Sequence, residues 1–378
     1  MKVFESIKRN AINVPGWKTN RKIVVFESDD WGAIRMPSKE VYSELLKNGI
    51  RVDNDPYCKY DNLANSDDLT QLFDVLNSVR DINGNPANFT VNTIMTNPDF
   101  VKIKESNFKQ YFFEPFTKTL QYYPNHENVF ELWKQGISAN VFKPQFHGRE
   151  HLNMSKWLQA LQQNEYATQL GFEHKTYGLT AETFAGINRN YMGAFDSAFE
   201  SDLEEYKHSI REGLKMFESV FGYKSKSFIA TTYTWSEELE FTLQSEGVKF
   251  LQGLINQKIP VDGGDHFKYK KWNYQGRSNR YGQLYLMRNC FFEPTLQNYN
   301  ENVVHDCLKR IKYAFRWGKA AIICTHRLNY IGSIDEKNRI NNIKSLQVLL
   351  HEIKKKWPDV EFMSSDELGE EILSSKYN

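Results

Sequence analysis

The sequence has few cysteines, no long apolar run and almost no net charge. Of its 378 residues only four are cysteine, at positions 58, 290, 307 and 324, and none forms a CxxC pair. A chain of this length with so few cysteines is not a disulfide scaffold, so we expect four free thiols. The 48 Lys and Arg residues nearly balance 47 Asp and Glu residues, which leaves a formal charge of +1. A field this weak disfavours a nucleic acid or an acidic membrane as the partner.

No segment has the pattern of a membrane anchor or a secretion signal. The N-terminus carries positive charges but lacks the apolar run of roughly 7 to 15 residues that a signal peptide has. No window of about 18 apolar residues follows it. We therefore expect no membrane span and, if Met1 is the native start, a cytoplasmic protein. The sequence assigns no oligomeric state.

Aromatic residues are the outlier in an otherwise ordinary composition. Apolar residues make up 40% of the chain and charged residues 25%, values typical of folded rather than disordered proteins. The aromatic share is 14%, from 26 Phe, 20 Tyr and 8 Trp. This excess predicts either a large core or a cleft lined with rings. The weak net charge suits a neutral sugar better than a polyanion as the occupant of such a cleft.

Short apolar runs alternate with longer amphipathic stretches, which is the pattern of a parallel α/β fold. Eight runs are predicted to be strands: residues 23–28, 89–95, 140–146, 227–231, 248–253, 284–290, 320–325 and 360–363. Helices are predicted between them, for example one that begins with Ser66 as N-cap and ends near Gly84. The predicted fold class is α/β, a single deformed (β/α) barrel of seven or eight strands with long loops at the C-terminal face.

No linker rich in Pro, Gly or Ser divides the chain, so one domain is predicted. Residues 1–22 are an N-terminal extension, and residues 23–378 form the barrel. Two aromatic and irregular segments, 97–140 and 257–283, are expected to be loop insertions over one face of the barrel. The alternative is that both are surface insertions without a functional role.

An aspartate pair follows the first predicted strand. This strand runs into Glu27-Ser28-Asp29-Asp30-Trp31. Barrels of this type carry their active sites at the C-terminal ends of their strands, so both aspartates are candidates for chemistry. Neighbouring side chains on a strand point in different directions, so one aspartate could bind a metal while the other acts as a base. An isolated pair of this kind would equally cap the next turn.

Two histidines four residues apart follow the third predicted strand. In the segment from His147 to His151, the i, i+4 spacing would place both rings on one face of a helical turn, close enough to share one metal ion. Glu150 does not occupy the position of the base in an HExxH helix, so no base role is assigned to it. The nine histidines of the chain could also produce this spacing by chance.

A further histidine, His326, directly follows the seventh predicted strand. Each motif alone has a structural explanation, but three of them at the C-terminal ends of three strands favour one shared site. One carboxylate and two imidazoles give three protein ligands with an open position, the arrangement of a catalytic zinc site. Such a metal acidifies water and polarises a carbonyl, while the second aspartate could act as base and His326 as acid.

These motifs resemble those of the polysaccharide deacetylases with NodB-type homology, within a wider superfamily of barrel hydrolases that act on carbohydrates. The family's Thr-Phe-Asp-Asp-Gly is similar to Glu27-Ser28-Asp29-Asp30, with Trp31 inserted before Gly32. Its His-Ser/Thr-x-x-His matches the segment from His147 to His151, and its Leu-x-His is similar to Cys324-Thr325-His326. The resemblance spans about residues 23 to 365 in motif order.

The resemblance implies a role for each matched residue. Asp29 would be the general base and His326 the general acid. Asp30, His147 and His151 would bind one divalent metal, with Zn²⁺ as the first choice. The substrate partner would be a carbohydrate.

The family's Arg-x-x-Pro-Tyr motif is only partly present, in the segment from Phe228 to Tyr233. The resemblance implies that the backbone N–H of Tyr233 helps to hold an oxyanion. The arginine and the proline of the motif are missing, so another residue must orient Asp29. Arg288 and Arg327 are the candidates, with plain structural roles as the alternative. Four aromatic residues are candidates for stacking on sugar rings or for packing: Trp31, Tyr233, Trp235 and Tyr330.

The leading hypothesis is a metal-dependent hydrolase that removes an N- or O-acyl group, acetyl above all, from a carbohydrate. A cytoplasmic location would favour a glycan precursor over a finished polymer. Glycoside hydrolysis is an alternative, but the adjacent Asp29 and Asp30 cannot span a glycosidic bond, so Glu27, Glu150 or Glu293 would have to be the second carboxylate. A non-haem iron oxygenase also uses two histidines and a carboxylate, but its close His-x-Asp spacing is absent. A non-catalytic carbohydrate-binding protein is a further alternative, because the third motif is incomplete.

Overall fold

The computed structural model describes residues 2–185, 191–197, 199–262, 266–270, 272–297 and 302–375. The β-strands in these ranges are β1 Lys22–Trp31, β2 Phe89–Ile94, β3 Thr96–Pro98, β4 Phe113–Pro115, β5 Phe142–Gly148, β6 Ser227–Phe228, β7 Phe250–Gly253, β8 Gln257–Pro260, β9 Phe267–Lys270, β10 Leu284–Met287, β11 Cys290–Phe291, β12 Ala321–His326 and β13 Val360–Phe362. The α-helices are α1 Lys2–Ala11, α2 Lys39–Lys47, α3 Pro56–Tyr60, α4 Ser66–Asn77, α5 Phe100–Glu105, α6 Phe116–Tyr122, α7 Val129–Ser138, α8 Met154–Gln162, α9 Tyr166–Glu173, α10 Glu200–Phe221, α11 Leu239–Ser245, α12 Val303–Arg316, α13 Glu336–Lys356 and α14 Ser365–Ser374. Short 3₁₀ helices cover Val52–Asn54, Thr231–Tyr233 and Arg327–Tyr330.

Nine of these strands form one sheet in which every pairing is parallel. Its order is β10-β7-β6-β5-β2-β1-β12-β11, and β13 pairs with the start of β1. All eight predicted strands correspond to strands of this sheet, with shifted ends. This sheet confirms the prediction of an α/β fold built as a deformed barrel. Parallel strands need helical connections between them, which is why apolar runs and amphipathic stretches alternate in the sequence.

The predicted strand 284–290 is in fact two strands. β10 pairs with β7, whereas β11 pairs with β12, so this one segment joins the two ends of the sheet order. Arg288 and Asn289 lie at the break, and their N–H groups donate to the carbonyl oxygens of Gly253 and Ile322, respectively. The break matters for the site because Arg288 lies in it, and its side chain donates to Glu27 and Asp29 of strand β1.

Strand β1 lies at the centre of the sheet and is buried on both faces. Every residue from Ile23 to Trp31 is buried, which explains why the apolar run shows no alternation. Helix α4 is held by a capping box, but the cap is Asn65 with Asp68, not Ser66 as predicted. The asparagine side chain accepts the N–H of Asp68, so the helix begins one residue earlier than expected.

The segment 97–140 is not the irregular loop that its aromatic composition suggested. It contains helices α5, α6 and α7, and α7 packs against β5 and α4 as part of the helical layer. The segment 257–283 contains the antiparallel hairpin of β8 and β9, and its residues 263–265 and 271 lie outside the described residues. The aromatic side chains of the first segment are largely packing residues, which composition alone could not distinguish from a cleft lining.

The N-terminal extension and the cysteines have plain structural roles. Helix α1 contacts α12, where the Ser6 and Tyr313 hydroxyls are 3.0 Å apart. All four cysteines are buried free thiols, as predicted. Within the described ranges, no helix is both long and apolar enough to cross a membrane.

Candidate active site

Asp29 and Asp30 lie where strand β1 leaves its regular register. Asp29 pairs with His326 of β12, and the register with β2 shifts between Ser28 and Trp31. Asp30 has a positive φ of 74°, which is uncommon for a residue other than glycine. The shift and this backbone angle turn the two carboxylates toward different partners, so adjacent residues can take different roles.

The Asp30 carboxylate and two imidazoles form a compact set of metal donors. Asp30 Oδ1 is 3.4 Å from His147 Nε2 and 3.2 Å from His151 Nε2. Ligands at about 2.0 to 2.1 Å from a tetrahedral Zn²⁺ ion lie roughly 3.3 Å apart, so both distances from Asp30 fit edges of such a coordination polyhedron. His147 Nδ1 is 2.8 Å from the carbonyl oxygen of Ile229, which fixes its proton there and leaves Nε2 for a metal. The residues present therefore fit a divalent cation.

The two histidines are not on a helical turn, as their spacing had suggested. His147 belongs to strand β5, which ends at Gly148, and His151 lies in the bend that follows. Gly148 has a φ of 148°, and a Cβ there would lie 3.0 Å from the carbonyl oxygen of Glu150. The tight bend returns the chain on itself, so the two rings meet with centroids 5.3 Å apart. The i, i+4 prediction of proximity was right, but its helical reason was wrong.

Arg35 holds the second oxygen of the Asp30 carboxylate, with Nη2 2.8 Å from Oδ2. Burial opposes ionisation of Asp30, but Arg35 and the two imidazoles outweigh it and keep the pKa of Asp30 well below its usual value. Burial, together with the positive charge of Arg35, lowers the pKa of His151 to about 4. An ionised carboxylate and neutral imidazoles are the protonation states that bind metal ions.

Asp29 is held by different groups. Arg288 Nη1 donates to Asp29 Oδ2 and Nη2 donates to Oδ1, both at 2.7 Å. Asn92 Nδ2 donates to Oδ1 at 2.7 Å, and Arg288 Nε donates to Glu27 at 2.6 Å. Burial opposes ionisation of Asp29 as well, but the two-pronged contact with Arg288 outweighs it and lowers the pKa of Asp29. Arg288, one of the two candidates from the sequence, thus donates to both oxygens of Asp29.

His326 faces Asp29 across the site and has its own carboxylate partner. Its Nε2 is 3.6 Å from Asp29 Oδ2, and its Nδ1 is 2.6 Å from Glu293 Oε1. Asn329 Nδ2 donates to the other oxygen of Glu293 at 2.7 Å. Burial opposes protonation of His326, but the Glu293 carboxylate outweighs it and raises the pKa of His326 to about 9. The imidazolium form therefore dominates at neutral pH.

Glu293, Cys324 and His326 form a second close group of potential metal donors. Arg288 Nη1 lies 3.1 Å from Cys324 Sγ. Burial raises the pKa of the Cys324 thiol above its usual value, so the thiolate that binds metal ions is disfavoured there. The Asp30 group is therefore the better candidate for a metal position.

Tyr233 lies in the site, but its backbone N–H is already engaged. Thr232 and Tyr233 have φ angles of 54° and 59°, and the N–H of Tyr233 donates to the carbonyl oxygen of Ala230 at 3.1 Å. The oxyanion role that the resemblance implied for this N–H is therefore not available in this conformation. The Tyr233 hydroxyl instead accepts from Arg288 Nη1 at 3.0 Å, so the side chain supports the Asp29 side of the site.

Trp31, a candidate for stacking on a sugar, and Arg327, a candidate for orienting Asp29, both have other partners. Trp31 is 1% exposed, donates its indole N–H to Ser28 Oγ at 2.9 Å and packs against Trp133. Arg327 is fully buried and forms a two-pronged ion pair with Asp61. Trp235 and Tyr330 are also buried in the core.

The Asp30 donor group lines one cavity of about 490 Å³ together with Asp29 and His326. Its walls include Asp29, Asp30, Arg35, Asp55, Pro56, Tyr57, His147, His151, Gly178, Thr180, Glu182, Met192, Ala230, Thr232, Tyr233, Leu296 and His326. The sequence reasoning missed Arg35 and Tyr57 and gave Glu293 only an alternative role. Arg35 lies five residues after Asp30 and would have been found by examining charged residues near the first motif.

No family model matches the chain, and no curated protein matches it. Solved structures do show a similar architecture. A putative polysaccharide deacetylase from Mycobacterium smegmatis is 10% identical, with a TM-score of 0.47 over 96% of this chain and 94% of the other. A 4-alpha-glucanotransferase from Thermococcus litoralis is 10% identical, with a TM-score of 0.45 over 92% of this chain and 40% of the other.

A CE4 family pseudoenzyme from Bacillus anthracis is also similar, at 10% identity and a TM-score of 0.38 over 92% of this chain and 66% of the other. The similar structures thus include polysaccharide deacetylases, the family that the motifs resemble. Likeness at these identities and TM-scores does not assign an activity. The function of this chain has to be inferred from its own site.

Proposed function

We propose that this chain is a metal-dependent hydrolase that removes an acyl group, N- or O-acetyl, from a carbohydrate. One observation carries the proposal. Asp30 Oδ1 lies 3.2 to 3.4 Å from the Nε2 atoms of His147 and His151, while the opposed pair of Asp29 and His326 lies on the wall of the same cavity. A metal site beside an ionised carboxylate and a protonated imidazole is suited to acyl transfer to water.

The protonation states of Asp29 and His326 fit the roles of base and acid. Asp29 Oδ2 accepts one hydrogen bond from Arg288 and retains lone-pair capacity toward His326, 3.6 Å away. Asp29 would take a proton from the attacking water. His326 Nε2 would give its proton to the leaving nitrogen or oxygen of the sugar. Glu293 stabilises the imidazolium before that transfer.

The reaction balances without a further co-reactant. Water adds its oxygen to the acyl carbon, and the bond from the acyl carbon to the sugar nitrogen or oxygen breaks. One water proton passes to Asp29 and the other stays on the product acid, while the leaving group receives a proton from His326. Transfer of the Asp29 proton to His326 Nε2, 3.6 Å away, would then restore both groups. A divalent cation held by Asp30, His147 and His151 would supply Lewis acidity, which polarises the acyl carbonyl and acidifies water. We propose Zn²⁺ because its usual donors are those present.

The carbohydrate class is inferred from the resemblance of the motifs and from the cavity. Tyr57 lines the cavity beside His326, with ring centroids 5.8 Å apart in an edge arrangement. Tyr233 also lines the cavity, where its hydroxyl accepts a hydrogen bond from Arg288. Rings at the wall of a polar cavity provide apolar faces for a sugar.

The glycosidase alternative finds less support in the geometry. Glu27, Glu150 and Glu293 were the possible second carboxylates, and none of them is part of the cavity wall. Glu27 is held by Arg288 and Ser365, and Glu150 is held by Arg149 and Ser209. Each carboxylate is thus committed to a buried partner rather than to a scissile bond.

Acetate release tests the proposal directly. The zinc-loaded protein would be incubated with acetylated chitooligosaccharides and with an O-acetylated sugar, and released acetate would be measured enzymatically. We expect release that depends on added zinc and is lost in Asp29→Asn. Cleavage of glycosidic bonds without acetate release would contradict the proposal, as would full activity in a metal-free preparation.

A further inference from the structure

Asp29 has a third hydrogen-bond donor besides the two nitrogens of Arg288. Asn92 is fully buried on strand β2, and its Nδ2 donates to Asp29 Oδ1 at 2.7 Å. Arg288 donates to both oxygens at the same distance of 2.7 Å, so it does not distinguish them. Asn92 contacts Oδ1 alone. Oδ1 therefore accepts two hydrogen bonds and Oδ2 accepts one, although each oxygen of an ionised carboxylate can accept two.

Asn92 belongs to a chain of buried polar side chains inside the sheet. Its Nδ2 also donates to Gln252 Oε1 at 2.8 Å, whereas its own oxygen has no hydrogen-bond partner among the described residues. Gln252 Nε2 donates to Ser227 Oγ at 2.8 Å, and this hydroxyl donates to Gln145 Oε1 at 3.0 Å. The four residues of this polar chain are 0% exposed and lie on four strands: Asn92 on β2, Gln145 on β5, Ser227 on β6 and Gln252 on β7.

Backbone groups fix the direction of the polar chain at its far end. The two ends of an amide side chain have the same shape, so only their partners determine which end faces which neighbour. The backbone N–H groups of Lys226 and Ser227 can only donate, and both donate to the same end of Gln145, at 3.1 and 2.8 Å. That end is therefore the oxygen. The Ser227 hydroxyl then donates to this oxygen and is left to accept from Gln252.

The same reasoning carries the direction along the polar chain to Asp29. Since Gln252 turns its nitrogen to Ser227, its oxygen faces Asn92, and Asn92 has to donate. One hydrogen of the Asn92 amide goes to Gln252 and the other to Asp29 Oδ1. A reversed Asn92 would place an acceptor against two acceptors, which is unfavourable in a buried position. The polar chain thus delivers a donor to the carboxylate.

A third donor restricts a motion that Arg288 alone leaves open. Two parallel hydrogen bonds hold a carboxylate but allow it to tilt about the line that joins its two oxygens. Asn92 approaches from a different strand and contacts one oxygen only, so it opposes this tilt. The position of Oδ2 matters because it faces His326 Nε2, 3.6 Å away, and a misplacement of about 1 Å in an active site can cost roughly 10²-fold in rate.

We propose that Asn92 and Gln252 are positioning residues of Asp29, which keep Oδ1 occupied and leave Oδ2 as the oxygen that takes the proton from water. This inference rests on the proposed function for the role of Asp29 as the base. Neither residue belongs to the motifs, and neither is part of the cavity wall that the described residues form. Both therefore act through Asp29 and do not touch the substrate.

Neutron diffraction tests the direction of the polar chain without any turnover. Crystals of the wild-type, zinc-loaded protein in heavy water would show the deuterium atoms of the buried amides. We expect the Asn92 amide to point one deuterium at Asp29 Oδ1 and the other at Gln252 Oε1. An Asn92 oxygen that faces Asp29 would overturn the inference, as would a deuterium bound to Asp29 Oδ1.

Two substitutions that nearly preserve side-chain size test the effect on the reaction. Asn92→Leu removes the donor to Asp29, and Gln252→Met removes the acceptor that orients this donor. We expect kcat for acetate release to fall by about 10- to 100-fold in Asn92→Leu and by less in Gln252→Met, with KM and zinc content within about twofold of wild type. The double variant should have the kcat of Asn92→Leu, because Gln252 acts only through Asn92.

Gln283→Leu is the matched control for the loss of a buried amide. Gln283 is 1% exposed, donates to the carbonyl oxygen of Val248 at 2.9 Å and is not part of the described cavity wall. This variant should lower the free energy of unfolding and leave kcat unchanged. An unchanged kcat in Asn92→Leu would overturn the inference, as would a loss in the double variant equal to the product of the two single losses. If Asn92→Leu does not fold, an unchanged kcat in Gln252→Met would overturn it.

The two proposals fail in different ways. If the wild-type protein releases no acetate from any substrate while the neutron map shows the expected direction, the proposed reaction is wrong and the polar chain still orients Asp29. If acetate is released and kcat is unchanged in Asn92→Leu, the reaction stands and the positioning role is wrong.

Discussion

Asp29 and Asp30 are neighbours in the chain, yet an arginine binds each of the two carboxylates in a different way. Arg288 takes both oxygens of Asp29, at 2.7 Å each, and fixes the carboxylate as a rigid anion. Arg35 takes only Oδ2 of Asp30 and leaves Oδ1 facing His147 and His151. The comparison shows two ways in which an arginine can hold a carboxylate. It can bind both oxygens, as Arg288 does, or it can bind one oxygen and leave the other free for a ligand, as Arg35 does. The first arrangement suits a base, and the second suits a metal ligand.

The largest effect is expected from the metal side. Asp30→Asn and His147→Ala should each lose bound zinc and reduce acetate release by about 10³-fold or more, because the Lewis acid is removed. Zinc content by mass spectrometry and turnover check this. His208→Ala is the matched control, since that histidine is 74% exposed and does not belong to the donor set. Retention of zinc by both site variants would contradict the assignment.

Asp29→Asn should separate the two aspartates. The amide keeps the shape of the side chain but cannot accept a proton, so turnover should fall by roughly 10²- to 10⁴-fold. Zinc content should stay at the wild-type level, because Asp29 faces Arg288 rather than the donor atoms. Loss of zinc in this variant would mean that the two carboxylates share the metal and that the comparison fails.

Glu293→Gln should move the alkaline limb of the pH profile. His326 is needed in its protonated form, so activity should fall as pH rises through its pKa of about 9. Without the Glu293 charge, burial dominates and the pKa falls, so the limb should shift down by about two pH units. The profile of kcat between pH 5 and 10 measures this.

The acid limb gives the internal control for that experiment. It depends on Asp29, whose pKa lies below its ordinary value because of Arg288, and activity is lost only when pH falls through that lowered pKa. This limb lies below the window of pH 5 to 10, because the ordinary pKa of an aspartate is already about 3.9. The acid end of the profile should therefore stay flat in both the wild type and Glu293→Gln. An alkaline limb that stays near pH 9 in the variant would show that Glu293 does not set the protonation of His326.

The smallest effect on catalysis is expected at Trp31. Trp31→Phe removes a buried hydrogen bond to Ser28 and some packing volume, which should lower the free energy of unfolding by about 1 to 2 kcal/mol. Turnover should remain within about threefold of wild type, because the ring lies in the core. Chemical denaturation and kinetics measure both quantities. A large loss of turnover with unchanged stability would restore the substrate role predicted from the sequence.

The sequence allowed the fold class and the convergence of the motifs to be predicted because both depend on local patterns. Apolar runs mark the buried strands, and polar residues after three strands meet because parallel strands end at one face. The reason for the histidine contact was wrong, since a bend at Gly148 rather than a helix brings the rings together.

The partners of the motif residues were harder to predict. Arg288 reaches Asp29 only because one predicted strand breaks between β10 and β11, and nothing in the apolar pattern of 284–290 marks that break. Glu293 meets His326 across 33 positions of the chain through the closure of the sheet. Such contacts form because the folded sheet brings distant segments together, whereas the spacing of residues in the sequence predicts only contacts between near neighbours.

Anomalous diffraction at the zinc edge tests the division of roles most directly. Crystals of the zinc-loaded protein should show one anomalous peak within about 2.0 to 2.2 Å of Asp30 Oδ1, His147 Nε2 and His151 Nε2, with Asp29 still paired to Arg288. A peak coordinated by Asp29, or one placed among Glu293, Cys324 and His326, would contradict the account.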